Sequence, residues 1–401
     1  MRIINPYKSL LVVLFSFSTI SCMSQEQSWG EKMAHTMMVT YPDSIVVKKV
    51  GELVAKRPTR WDYEQGVLLK AFDQLWTKTN NKEYLVYMKK IIDQFVQTDG
   101  SIRTYDLLEY NIDHITPGQV VLALYRETKE ERYKKAATLL HDQLVWQPRT
   151  KEGGYWHKLR YPYQMWLDGL YMGEVFSAEY AKVFNDQTKF DDVANQFIWM
   201  ENHVRDPKTG LLYHAWDESK KQLWSNPETG NAPGFWSRGM GWYAMALVDV
   251  LDYFPKDHPK RKDLIAILQR LATALKNYQD PASGVWYQVM DKGTLKGNYL
   301  EASGSCMFVY AFAKGARLNY LDKSYSTLAK KGFDGILKNF IETDSQGLVH
   351  LTKTVSVGGL GGSPYRDGSF EYYISEPLRT DDLKGVGPFI QASVEIELLK
   401  K

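Results

Sequence analysis

Apolar positions recur along this chain at helical spacing, and no convincing run of long strands interrupts them. The pattern predicts about twelve helices, roughly 31–54, 61–79, 82–97, 115–128, 130–146, 162–185, 188–204, 235–254, 259–279, 299–319, 322–342 and 385–400. The segment from Tyr161 to Gly173 is apolar on every face. Trp166, Leu170 and Gly173 follow one helical stripe, and Met165, Leu167, Tyr171, Met172 and Val175 fill the others. Pro162 suits a first helical turn, which would put Asp168 about two turns into a helix buried all round. A carboxyl in such surroundings is either hydrogen-bonded as part of the core or has its charged form disfavoured, as a general acid near neutral pH requires.

A short motif returns between pairs of helices. Asp206-Pro207-Lys208-Thr209-Gly210-Leu211 is echoed by Asp280-Pro281-Ala282-Ser283-Gly284-Val285 and by Asp344-Ser345-Gln346-Gly347-Leu348. Weaker copies are Asp99-Gly100-Ser101 and Glu152-Gly153-Gly154. Each reads as a turn leading into a short extended stretch, placed after an odd-numbered helix. A unit of roughly 55–75 residues with two helices and one such loop is a helical-hairpin repeat. Six of them predict an all-α (α/α)6 toroid with short β-hairpin loops at one end, even helices inside and odd helices outside. An open solenoid is the competing arrangement; the apolar character of 162–185 and 235–254 favours closure.

Composition adds two facts. A net charge of +3 over 401 residues gives no electrostatic case for nucleic acid or an anionic membrane. Twelve Trp and 26 Tyr suit either a large aromatic core or platforms for sugar rings. At the N-terminus, Arg2 and Lys8 precede an apolar run from Leu10 to Ile20 that is too short for a membrane span, as in a secretory signal. Thr19-Ile20-Ser21-Cys22 is similar to a lipoprotein box, with Thr19 where Leu is usual, so residues 1–22 are expected to be a signal peptide and Cys22 a lipid-attachment site. Plain cleavage is the alternative. Residues 23–30 then form a tether and 31–401 one catalytic domain, exported across the inner membrane and either periplasmic or lipid-anchored. Cys306, the other cysteine, is expected to be a buried free thiol.

The unusual residues fall at the starts of the even helices: Tyr63, Asp113, Asp168, Trp236-Ser237-Arg238, Glu301 and Arg379–Lys384. In a toroid the inner helices run the same way, so these positions converge at one mouth, joined by His157 and His214 from the repeat loops. Helix N-termini there favour an anionic ligand. The chain has no Gly-x-Ser-x-Gly elbow, no His-Glu-x-x-His and no phosphate- or dinucleotide-binding glycine motif, and its eight histidines show no ligand spacing. Neither a metal nor a cofactor is expected. Gly358-Gly359-Leu360-Gly361-Gly362 reads as a flexible loop over the pocket or as ordered packing at the mouth. Paired carboxylates beside aromatics point to glycoside chemistry. Arg238, between Trp236 and Trp242, is a fork suited to a uronate carboxylate or, alternatively, half of a structural salt bridge.

Taken in order, Trp61-Asp62-Tyr63-Glu64-Gln65-Gly66, Asn111-Ile112-Asp113, Tyr155-Trp156-His157, Met165–Met172, Tyr213–Asp217, Trp236–Trp242, Asn298–Ser303 and Lys384–Pro388 resemble glycoside hydrolase family 105, the unsaturated rhamnogalacturonyl hydrolases. Family 88, the unsaturated glucuronyl hydrolases, is the nearest relation. The resemblance implies an (α/α)6 fold and an oligosaccharide substrate, left by a lyase, that carries a 4,5-unsaturated uronic acid at its non-reducing end. It implies that Asp168 protonates C4 and then deprotonates the water that adds at C5, with Asp113 assisting. Tyr63, His157, Trp166, His214, Trp236, Arg238 and Trp242 are implied to hold the unsaturated ring. Rhamnogalacturonan fragments are the first expectation for substrate, and ulvan, gum or glycosaminoglycan fragments the second. A catalytically dead sugar-binding lipoprotein is the reading from another class; it would have no need of both aspartates.

Overall fold

The computed structural model describes residues 27–46 and 59–400. The signal segment and Cys22 lie outside the described residues. Twelve long helices appear among those described: α1 Trp29–Thr40, α2 Tyr63–Thr79, α3 Lys82–Ile92, α4 Gly118–Thr128, α5 Glu131–Trp146 and α6. α6 is continuous through Leu167–Gly169, a π turn Leu170–Glu174 and Val175–Phe184. They continue as α7 Lys189–Val204, α8 Ser237–Tyr253, α9 Arg261–Asn277, α10 Ala302–Arg317, α11 Ser324–Phe340 and α12 Leu383–Leu398. The even helices contact one another in the order α2, α4, α6, α8, α10, α12 and back to α2, so the ring closes. Each odd helix packs outside: α3 on α2, α5 on α4, α7 on α6, α9 on α8, α11 on α10 and α1 on α12. This is the (α/α)6 toroid, not the open solenoid.

The two layers differ as their sequences require. From Ser237 to Leu251 α8 is buried at every residue, and α10 is likewise buried from Ala302 to Ala316. The outer α9 buries one side only, Leu264, Ile267, Leu268, Leu271, Ala272, Ala274 and Leu275. Near the mouth the inner helices approach closely because glycine stands at the crossings. A Cβ on Gly66 would lie 2.7 Å from the Pro117 backbone nitrogen, and one on Gly387 would lie 2.7 Å from Val67.

The repeated loops take the expected turn. In the first, Gly210 N donates to Asp206 O, the Asp206 carboxylate accepts from Thr209, and Gly210 has φ of 72°. The Asp280–Gly284 loop repeats this with Ser283, and the Asp344–Gly347 loop is built around Asp344 in the same way. Two-stranded pairings stiffen the loop layer: β1 Gln164–Trp166 with β2 Ala215–Asp217, β3 Ile341–Thr343 with β4 Val349–Leu351, and β5 Thr354–Val355 with β6 Leu378–Arg379.

Most helix ends fall within a few residues of expectation; α3 stops at Ile92 rather than at 97, with Val96 bridged to Ile102, and three further differences matter more. α1 ends at Thr40, with Tyr41 as its cap, rather than continuing through 41–46; residues 47–54 of the expected helix lie outside the described residues. α1 also begins inside the expected tether. Ser28 caps it in a reciprocal box with Glu31, and Gly30 N donates to Ser393 Oγ on α12. The third difference bears on function. Residues 162–166 are not helical, because Tyr163 takes a left-handed φ of 65° and Gln164–Trp166 pair with β2. Trp166 is therefore the N-cap and Asp168 sits in the first turn of α6 rather than about two turns into it. Cys306 is a buried free thiol, and burial holds it well above the usual thiol range.

Candidate active site

The inner-helix N-termini surround a cavity of about 950 Å3. Tyr63, Asp113, His157, Trp166, Asp168, Trp236, Arg238 and Trp242, all expected from the sequence, line it. Asp113 lies in a 3-10 turn, Ile112–Ile115, just before α4, and Asn111 caps that turn. Two side chains hold it. Lys158 Nζ contacts one carboxylate oxygen, and His157 Nε2 lies 3.1 Å from the other. Burial acts to raise the Asp113 pKa, but Lys158 and His157 outweigh it and hold the carboxyl well below the usual range. Asp113 is a fixed negative charge.

Asp168 is held differently. No lysine or arginine among the described residues pairs with it, and its Oδ2 is buried without a hydrogen bond. His214 Nε2 approaches that oxygen to 3.4 Å, off hydrogen-bond alignment. His214 is the sequence-expected residue that the structure places elsewhere. It is wholly buried and does not line the cavity. Strand β2 begins right after it, and its Nδ1 lies 2.8 Å from Tyr373 Oη, on the short helix Phe370–Ser375. It stands behind Asp168 rather than against the cavity.

Arg238, in the first turn of α8, is 1% exposed. Its guanidinium lies over the Trp236 ring at 4.7 Å and donates through Nη1 to Ser303 Oγ and to the Val355 carbonyl. Ser303 in turn donates to Glu301, whose carboxylate caps α10 at the amides of Ser303 and Gly304. No carboxylate pairs with Arg238 among the described residues, and its Nε is buried without a partner. The salt-bridge alternative is therefore not what the structure contains. Gly358, in the glycine-rich run, packs against the Trp236 indole. A Cβ there would lie 2.5 Å from the ring, and Gly359 N donates to Tyr372 Oη. Of the two readings of that run, ordered packing at the mouth is the one realised.

On the opposite wall, His157, Trp166 and Tyr161 form parallel rings. Trp166 lies 5.1 Å from His157 and 5.2 Å from Tyr161, with interplanar angles of 6° and 0°. Sequence reasoning missed Tyr161, Lys158 and Glu64 as cavity residues. Lys158 and Tyr161 flank His157 in the same loop, and their closeness in sequence to that histidine was the available signal. Glu64 follows Tyr63 at the start of α2, and its Oε1 accepts from Lys384 at 2.8 Å. Burial pushes its carboxyl up to about 7 against the pull of Lys384.

A closed ring of helical hairpins opening on a pocket with two carboxylates defines a glycoside hydrolase of the (α/α)6 class. Residues 29–400 match the family model Glycosyl Hydrolase Family 88, and the chain belongs to that family. It is similar to a solved glycoside hydrolase from family 105 of C. acetobutylicum ATCC 824, at 47% identity over 93% of this chain and 100% of that one, with a TM-score of 0.87. It is also 26% identical, over 71% of its own length and 79% of the relative's, to the unsaturated rhamnogalacturonyl hydrolase YesR of Bacillus subtilis. The unsaturated glucuronyl hydrolase of Bacillus sp. GL1 shares the fold, with a TM-score of 0.68 at 14% identity over 91% of this chain and 94% of that one.

Proposed function

We propose that the protein removes the 4,5-unsaturated uronic acid from the non-reducing end of lyase-generated rhamnogalacturonan oligosaccharides by hydrating the C4–C5 double bond. The observation that carries this reading is a buried Arg238 with no carboxylate partner, lining the same cavity as the cation-free Asp168. A buried guanidinium whose Nε is unpartnered is completed by an anion, and a uronate carboxylate supplies that anion from the substrate. The ring then lies between the Trp236–Arg238 wall and the His157–Trp166 wall, with Tyr63 and Trp242 on the remaining sides. Asp168 donates its proton to C4 of the enol ether. The same group, now a carboxylate, takes a proton from the water adding at C5. The hemiketal so formed opens and releases the rest of the oligosaccharide. Asp113, ionised and fixed, orients water or ring hydroxyls, and His214 holds Asp168 from behind. The likeness to the rhamnogalacturonyl hydrolase YesR supports this choice of substrate. The apolar N-terminal run and Cys22 support export to the bacterial envelope, with lipid attachment at Cys22.

The test is incubation with lyase-digested rhamnogalacturonan, glycosaminoglycan and ulvan, following loss of the unsaturated chromophore. Rhamnogalacturonan fragments are expected to react fastest. Reaction in D2O places deuterium at C4, ¹⁸O from water enters first at C5, and a saturated uronoside of the same linkage is inert. Hydrolysis of the saturated compound defeats the hydration chemistry, and preference for another digest defeats the substrate assignment.

A further inference from the structure

Behind His157, away from the main cavity, lies a second and much smaller one of about 10 Å3. Its walls include His157, Gly169, Glu174, Gln196 and Tyr155. Two polar atoms on these walls are buried without a hydrogen-bond partner: Nδ1 of His157 and Oε2 of Glu174. Nδ1 faces the start of α6, since a Cβ on Gly169 would stand 3.1 Å from it. Glu174 closes the π turn of α6, the only π turn among the described residues, and it is 2% exposed with no salt bridge reaching it. An inserted residue of this kind redirects one side chain, and such turns concentrate at functional sites.

Glu174 is placed as a hydrogen-bond donor, being buried with Oε2 unpartnered. Burial holds its carboxyl well above the usual range; Asp192 on α7 adds to this and Arg149 opposes it. Arg149 is itself engaged by Asp192 at 2.7 Å. On its other side His157 faces the ionised Asp113, with Lys158 beside that carboxylate. Nε2 must then carry the proton that points at Asp113, so in the neutral ring Nδ1 is an acceptor in need of a donor. A cavity of this size holds about one water molecule, and such a site needs polar partners on both sides.

We propose that one buried water joins the Glu174 carboxyl to His157 Nδ1, making Glu174 a positioning residue that fixes the His157 tautomer and, through Nε2–H, the orientation of Asp113. The chain of donors runs from Glu174 O–H to the water, from the water to Nδ1, and from Nε2–H to the Asp113 carboxylate. No covalent bond changes. Glu174 touches neither substrate nor the reacting atoms.

The decisive measurement is ¹⁵N NMR of the histidine side chains, with His157→Gln to assign the signal. The wild type is expected to show His157 in the Nε2–H form. Glu174→Gln retains a donor amide and is expected to keep both this signature and kcat to within about threefold. Glu174→Leu removes the donor, shifts the signature, and lowers kcat about tenfold, the scale typical of groups that orient a functional histidine from behind. A wild-type signature with the proton on Nδ1 overturns the proposal. So does a Leu variant that loses only thermal stability, or a Gln variant that loses as much activity as the Leu variant. Should the Leu variant not fold, a high-resolution crystal structure of the wild type decides, and a dry cavity overturns the proposal. The kinetic arm rests on the hydration reaction proposed above. The NMR and crystallographic arms do not, so failure of one reading is distinguishable from failure of the other.

Discussion

The two ends of the inner ring handle charge in opposite ways. Toward the C-terminal ends of the inner helices, the cations, Lys70 and Lys314 among them buried, are matched. Lys70 on α2 meets Asp73 and, on α6, Glu179, while Arg126 on α4 reaches Asp73 at 2.6 Å. Lys314 on α10 is held by Asp249 and Asp252 on α8, each at 2.6 Å. Arg317 pairs with Glu395 on α12, and Lys78 on α2 with Glu397. At the mouth, Arg238 and Asp168 have no such partners. Charges removed from water are costly unless paired, so an unpaired one persists where an incoming group completes it. One end of the ring is built to hold the helices together, and the other is left incomplete for a substrate.

This contrast can be broken from either side. Asp168→Asn at the mouth is expected to lower kcat by about 10²–10⁴ through loss of acid–base help. The melting temperature should barely move; kinetics and calorimetry on the same preparation check both halves. Lys314→Met should do the reverse. It leaves Asp249 and Asp252 facing each other without a cation and is expected to cost about 3–5 kcal/mol of stability. The kcat of the folded fraction should remain within about twofold, as expected for a site far from the chemistry. A Lys314 variant with intact stability and lost activity would erase the distinction between the ends.

Asp113 is paired at the mouth, as Glu64 is with Lys384. Asp113→Asn strands Lys158 and is expected to cost about 1–3 kcal/mol near neutral pH. The sign with pH follows from the depressed folded-state pKa. The stabilisation is fully present above the unfolded value of 3.8 and is lost as pH falls below it. The variant and wild-type stability curves from urea unfolding should therefore run parallel between pH 8 and pH 5 and converge only in acid. Glu64 has the opposite sign. Its folded-state pKa is raised from 4.5 to about 7, so its contribution is present below 4.5 and is lost as pH rises through about 7. Glu64→Gln should flatten that slope, which for one group is at most about 1.4 kcal/mol per pH unit. An unchanged slope would remove Glu64 from the set of mouth charges left only partly compensated.

Much of this was readable along the chain. Apolar periodicity located twelve helices, and the recurring Asp-to-Gly turns paired them into hairpins, because both signals depend on residues close in sequence. That Asp113, Asp168, Trp236 and Arg238 would meet at one cavity was readable, since helix starts can be placed locally and a ring brings them together. Other features depended on contacts between distant segments. Pairing of Gln164–Trp166 with Ala215–Asp217 moved the start of α6 past Pro162 and put Asp168 in its first turn, against the local preference for a proline in the first helical turn. His214 is withdrawn behind Asp168 by Tyr373, 159 residues further on. That Lys158 fixes Asp113 while Asp168 has no cation is likewise a matter of tertiary approach, and it distinguishes two aspartates that look alike in the sequence. Local preference sets where a helix can begin, but the environment of a carboxyl depends on which distant groups the closed ring carries to within a few ångströms of it.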